Sequence, residues 1–173
     1  PGGSAANTIY GLAKLGVATG FAGTVGDDAE GRLLIADLRS VAVDTSRIKA
    51  KSETPTGSVL CLGDKQGRRA LYVLPGANSL LNREDIDLDY LNQARILHLS
   101  SFAQPKQLEL QIALAGELSP TVKLSLAPGA LYCSLGLERL APLLRRSHVL
   151  FLNRDELKQL PGEGLPQGVD RCL

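Results

Sequence analysis

The sequence has 173 residues, 44% hydrophobic and 21% charged, with 19 Lys and Arg against 18 Asp and Glu for a formal net charge of +1. A chain of this length buries well over half of its unfolded surface, enough for one domain with a real core. The cations are spread along the chain, so there is no electrostatic footprint for nucleic acid or an anionic membrane, and there is neither a bilayer-length apolar run nor a cleavable targeting segment.

Taken in chain order, the opening stretch PGGSAANTIYGLAKLG places paired glycines before a helix that Ser4 caps. Its apolar positions are Ala6, Ile9, Leu12 and Ala13, and Gly16 is its stop. VATGFAGTVG reads as a buried strand ending at Gly26. Asp28 then caps a second helix, with Leu33, Leu34, Ile35, Leu38 and Val41 as its apolar set. Residues 56–76 change texture: two apolar runs joined by the polar turn GDKQGRR predict a β-hairpin. ILHLSSF, VKLSLAPG and HVLFLN then read as strands, separated by helices at PKQLELQIALAGEL and LGLERLAPLLRR. That alternation predicts βαβ units and a parallel sheet. The tail PGEGLPQGVDRCL is turn-rich and commits to no element.

Few residues in this frame suggest chemistry. Gly2 and Gly3 allow a ligand close to the backbone at a helix start, and Asn7, one turn in, can donate and accept to a pair of hydroxyls, which suits a polyol such as a sugar. On the residues alone, a tight turn is the favoured alternative. Asp27 and Asp28 look like paired carboxylates, but a turn plus a helix cap is favoured for them. Asn153 and Glu156 follow the strand VLFL, at the kind of sheet edge where open α/β folds bind ligands, and they equally spell a capping box. Arg68 and Arg69 offer a phosphate clamp, with a solvated loop the favoured reading. Ser100 and Ser101 follow a strand with no general base in view, and His98 and His148 fall within strand patterns as structural residues. Cys61, Cys133 and Cys172 are odd in number and widely spaced, fitting reduced thiols in a cytoplasm better than a metal site.

The series G-G-S-A-A-N at 2–7, Gly16, Gly26, VGDDAEG, TGSVL, GRRALYVLPGAN and FLNRDE, in this order, resembles the PfkB (ribokinase-like) family of carbohydrate and nucleoside kinases. Ile9 departs from the family's small residue, Glu30 stands where an aromatic is common, and Ser4 stands where ribokinases proper carry Lys. The resemblance implies an α/β ribokinase-like layered fold, with a parallel central sheet flanked by helices and a small β lid. It implies one partial domain over residues 1–173, incomplete at both ends, with roughly 53–76 forming the lid.

The activity implied is ATP-dependent phosphoryl transfer to a hydroxyl of a sugar or sugar phosphate, with a nucleoside as the alternative acceptor. Gly2, Gly3 and Asn7 would meet the substrate. Asn153 and Glu156 would organise hydrated Mg²⁺ and the nucleotide phosphates, with no residue acting as a direct metal ligand. The family's G-A-G-D motif, whose Asp is the base, does not occur in the 173 residues. The expectation is therefore a chain that carries mainly the substrate side, holds no catalytic residue and is inactive alone. A non-catalytic binding or interaction module is the alternative from another class, and the exposed hairpin edge makes a homodimer through the lid the expected mode of association.

Overall fold

The computed structural model describes residues 2–161. They fall into two compact units that part between Ile86 and Asp87.

The first unit opens with α1 (Ser4–Lys14). The cap of this helix is Gly3, not Ser4: Gly3 has φ 104°, no side chain caps the helix, and the Asn7 N–H donates to the Gly3 carbonyl at 2.9 Å. A left-handed φ of that size strains any residue with a Cβ, which explains a glycine there. At the other end Gly16 has φ 82°, and the Gly16 and Val17 N–H groups donate to the Ala13 and Leu12 carbonyls in a Schellman closure. Of the predicted apolar stripe only Ala6 is buried, and Leu12 stays exposed.

Strand β1 (Gly20–Gly26) leads into α2 (Ala29–Ser40), and the helix leads into β2 (Asp44–Lys51), which pairs with β1 in parallel. The sequence reading has no strand at β2, because DTSRIKAK is polar and, among its residues, only Thr45 is buried. Leu38 carries the buried face of α2, while Leu33 is exposed. The α2 to β2 turn repeats the Schellman closure with Ala42 in the glycine position at φ 64°. Ala42→Gly is expected to raise stability by about 0.5 to 1 kcal/mol, since relief of left-handed strain exceeds the added chain entropy. An unchanged or lower urea midpoint would contradict that strain.

The hairpin follows as predicted, with β3 (Ser58–Gly63) antiparallel to β4 (Arg69–Leu74) in a register from Ser58 opposite Leu74 to Gly63 opposite Arg69. The tip is closed by Asp64, whose carboxylate accepts from the Gln66 and Arg68 N–H groups and from the Arg68 side chain, with Gly67 at φ 78°. Pairing in alternate registers puts Leu60, Leu62, Tyr72 and Leu74 on one face and Val59, Cys61, Leu71 and Val73 on the other, and all of them are exposed. Two 3-10 turns, Gly76–Leu80 and Arg83–Asp85, complete the unit.

The second unit contains α3 (Leu88–Asn92) and three parallel strands, β5 (Ile96–Ser100), β6 (Lys123–Ala127) and β7 (Ser147–Leu150), in the order β5-β6-β7. The crossovers are α4 (Pro105–Glu117) and the pair α5 (Gly129–Cys133) and α6 (Gly136–Arg146). The sequence reading has no helix at α5, a five-residue turn of helix that begins at Gly129 with φ 60°. Leu108, Leu124, Leu126, Leu140 and Leu143 form the core, each essentially inaccessible to water. Burial of such side chains, at roughly 2 kcal/mol each, is what holds the central strand between its neighbours and the helices. Arg146, at the end of α6, donates to the Ser119 and Val122 carbonyls and pins the loop that feeds β6. Last among the described elements is α7 (Arg154–Gln159). Among the described residues no helix is long and apolar enough to cross a membrane.

Candidate functional site

In the first unit the backbone at Gly2 and Gly3 is open: a Cβ added at Gly2 would meet nothing within 4 Å, and one at Gly3 only the Ala6 Cβ at 3.9 Å. Asn7 is exposed on the first turn of α1 and lines a cleft of about 300 Å³ between α1 and α2, together with Tyr10 and Asp37. Its amide is therefore available to an outside ligand, while its backbone is committed to the helix.

Asp27 and Asp28 do not act as a pair. Asp27 meets Arg32 at 3.0 Å with both side chains in solvent, an ion pair of little energetic weight. Asp28 faces the hairpin: one carboxylate oxygen accepts from the Gly31 N–H at 2.8 Å and the Thr56 hydroxyl at 2.6 Å, and the other accepts from the Thr56 N–H at 2.7 Å. Thr56's hydroxyl, and after it the Thr56 and Gly31 amides, hold the Asp28 carboxyl below its usual range. The predicted cap is present, and Thr56 is the partner that no local pattern announced.

In the second unit Asn153 and Glu156 form the predicted capping box on α7. The Asn153 carbonyl oxygen accepts from the Asp155 and Glu156 N–H groups, each at 2.9 Å, and one Glu156 oxygen accepts from the Asn153 N–H at 3.0 Å. The box uses Asn153 Oδ1 and Glu156 Oε2. The Asn153 amide nitrogen and Glu156 Oε1 take no part in the box.

The remaining candidates are structural. Arg68 is tied to Asp64 at 2.6 Å in the hairpin tip, as a solvated turn requires. His98 shares a 3.0 Å hydrogen bond with Ser125 through Nδ1, lies edge-on to Phe151, and is held below its usual pKa by burial. The Ser100 carbonyl accepts from Gln111, and Ser101 packs where a side chain on Gly129 would have to go. Cys61 is a free, exposed thiol and Cys133 is buried, whereas Cys172 lies outside the described residues. Among the described residues no group of three or more His, Cys, Asp and Glu side chains is placed to hold a metal ion.

Residues 1–171 match the family described as pfkB family carbohydrate kinase. The chain belongs to the pfkB family. Among curated relatives, an uncharacterized sugar kinase of Archaeoglobus fulgidus is 30% identical over 163 residues, covering 94% of this chain and 65% of the relative. An ATP-dependent ribose-1-phosphate kinase of Halopiger xanaduensis is 35% identical over 159 residues, covering 92% of this chain and 52% of the relative. A fructokinase from Xylella fastidiosa solved with bound ATP superposes with a TM-score of 0.83 at 21% identity, over 99% of this chain and 58% of that one. The chain thus spans between half and two thirds of the length of these pfkB proteins. Its fold is the ribokinase-like α/β fold, with the parallel pair β1-β2, the parallel set β5-β6-β7 and the separate β3-β4 hairpin as its strands.

Proposed function

We propose that this chain carries the substrate side of an ATP-dependent kinase that phosphorylates a hydroxyl of a sugar or sugar phosphate. The observation that carries the reading is the start of α1, where two side-chain-free residues precede an Asn whose amide faces solvent within one turn. Asn7 donates to one substrate hydroxyl and accepts from its neighbour, fixing which oxygen is presented. Gly2 and Gly3 let the sugar ring approach the backbone. The names of the relatives, which include a ribose-1-phosphate kinase and several fructokinases, favour a sugar or its phosphate over a nucleoside.

For the nucleotide and Mg²⁺, the Asn153 amide N–H and Glu156 Oε1, which the capping box does not use, are a fitting pair: the waters of a hydrated cation would donate hydrogen bonds to the carboxylate, and the amide would donate to a phosphate oxygen, without direct ligation of the metal. When bound, ATP supplies the phosphoryl group and Mg²⁺ neutralises charge on the phosphate oxygens. The capping box keeps Asn153 and Glu156 in place for that task. No base is assigned within the 173 residues, and on this reading the chain by itself is inactive and residues 53–76 serve as its lid. The free, exposed thiol at Cys61 accords with a cytoplasmic setting.

The reading is tested by calorimetry of the 173-residue chain with D-fructose and D-ribose and, separately, with Mg-ATP. Sugar binding without turnover is expected. Robust phosphorylation by the chain would refute the absence of its base, and failure to bind any sugar would refute the substrate-side assignment. The hairpin favours a second role beside the first: with Leu60, Tyr72 and Leu74 on one face and Val59 and Val73 on the other all about half exposed, it is suited to pairing two copies of the chain.

A further inference from the structure

The Asp28 carboxylate makes more bonds than a helix cap needs. Capping α2 uses the Gly31 N–H alone, yet the same carboxylate also takes both the hydroxyl and the amide of Thr56, at 2.6 and 2.7 Å. Thr56 in turn accepts from the Gly26 N–H at 2.9 Å, so one residue at the foot of β3 is fastened to the end of β1 and the start of α2 together. The walls of this clasp leave no room for a side chain. A Cβ on Gly26 would lie 2.4 Å from the Thr56 nitrogen, and one on Gly31 would lie 2.3 Å from the Gly26 carbonyl oxygen and 2.8 Å from the Thr56 hydroxyl.

The other leg of the hairpin is attached through the same foot. The Ala77 N–H donates to the Pro55 carbonyl at 2.8 Å, Thr24 donates to the Ala77 carbonyl at 2.8 Å, and a Cβ on Gly76 would lie 2.3 Å from the Pro55 oxygen. Beyond this root, among the described residues, β3 and β4 pair only with each other, and every β3 residue is exposed. An isolated two-stranded ribbon is marginal and does not set its own direction. Its direction is set where it leaves the body of the unit.

We propose that Asp28 is a positioning residue for substrate capture: by clasping Thr56 it fixes the root of the β3-β4 hairpin and so aims the hairpin. The proposal rests on the reading of the hairpin as a lid over the sugar.

The test uses the whole chain and two readouts, amide hydrogen exchange and affinity for D-fructose and D-ribose. In Asp28→Ala, exchange of the Ala77 amide and of the amides of residues 58–74 is expected to quicken about tenfold or more, and sugar affinity to fall about tenfold, while the amides of Leu124 and Leu126 keep their protection. Thr56→Val leaves the Asp28 to Gly31 cap in place, so it covers the case in which Asp28→Ala does not fold. It is expected to move both readouts the same way by a smaller factor, and Thr56→Ser to restore them. Unchanged exchange at Ala77 and in the hairpin in both variants would overturn the proposal, whatever happens to affinity, and would leave the lid reading standing. Quickened exchange with unchanged affinity would overturn the lid reading instead, and with it the substrate-capture role assigned to Asp28.

Discussion

Asp85→Ala is expected to cost about 3 kcal/mol of stability, near the low end for breaking a buried ion pair by removing one partner. The Lys51 ammonium lies 2.7 Å from one Asp85 oxygen, and the two side chains are 19% and 11% exposed. The second Asp85 oxygen accepts from the Asn82 N–H at 3.1 Å, closing the capping box on the turn Arg83–Asp85. One carboxylate therefore holds the last residue of β2 and the turn that ends the first unit. Removing it strands a largely buried ammonium and opens the box at once. A double-mutant cycle separates the two effects: Lys51→Met with Asp85→Ala is expected to lose less than the two single variants summed, because the double variant leaves no unpaired charge. Urea unfolding of the four proteins measures this. A cost under about 1 kcal/mol for Asp85→Ala would show that solvent screens the pair and that it contributes as a surface bridge does.

What could be read from the sequence was whatever depends on neighbours along the chain. Gly16 ends α1, Asp28 caps α2, and Asn153 with Glu156 caps α7, because caps join residues within five positions of each other. The hairpin was legible because its turn chemistry and its two apolar runs adjoin. Ser4 was misread as the cap of α1 because it is a preferred capping type, whereas the left-handed backbone at Gly3 leaves no sequence mark beyond glycine itself. Strand β2 was missed because only one of its residues is buried, so its polar sequence carries little of the alternation that marks a strand. Leu12 and Leu33 sit at helical spacing yet face water, since a period marks a stripe and not the neighbour that covers it. The Asp28 to Thr56 clasp joins residues 28 positions apart, and no local signal encodes such a partner.

Asn7→Ala is expected to weaken binding of D-fructose or D-ribose about tenfold to hundredfold without lowering thermal stability. The first half follows from losing an amide that donates to one hydroxyl and accepts from another, at about 0.5 to 1.5 kcal/mol for each bond. The second half follows from where Asn7 sits. Its side chain is exposed, its N–H already bonds the Gly3 carbonyl at 2.9 Å, and alanine is the better helix former at a position that buries nothing. The two halves together exclude a structural explanation, because a variant that lost affinity through a damaged α1 would also melt earlier. Asn7→Asp refines the assignment: it keeps the acceptor and removes the donor, so an intermediate loss points to both halves of the amide meeting the sugar. Unchanged affinity in Asn7→Ala, with an unchanged melting temperature, would remove Asn7 from the site and leave the start of α1 as a turn that glycine geometry explains in full.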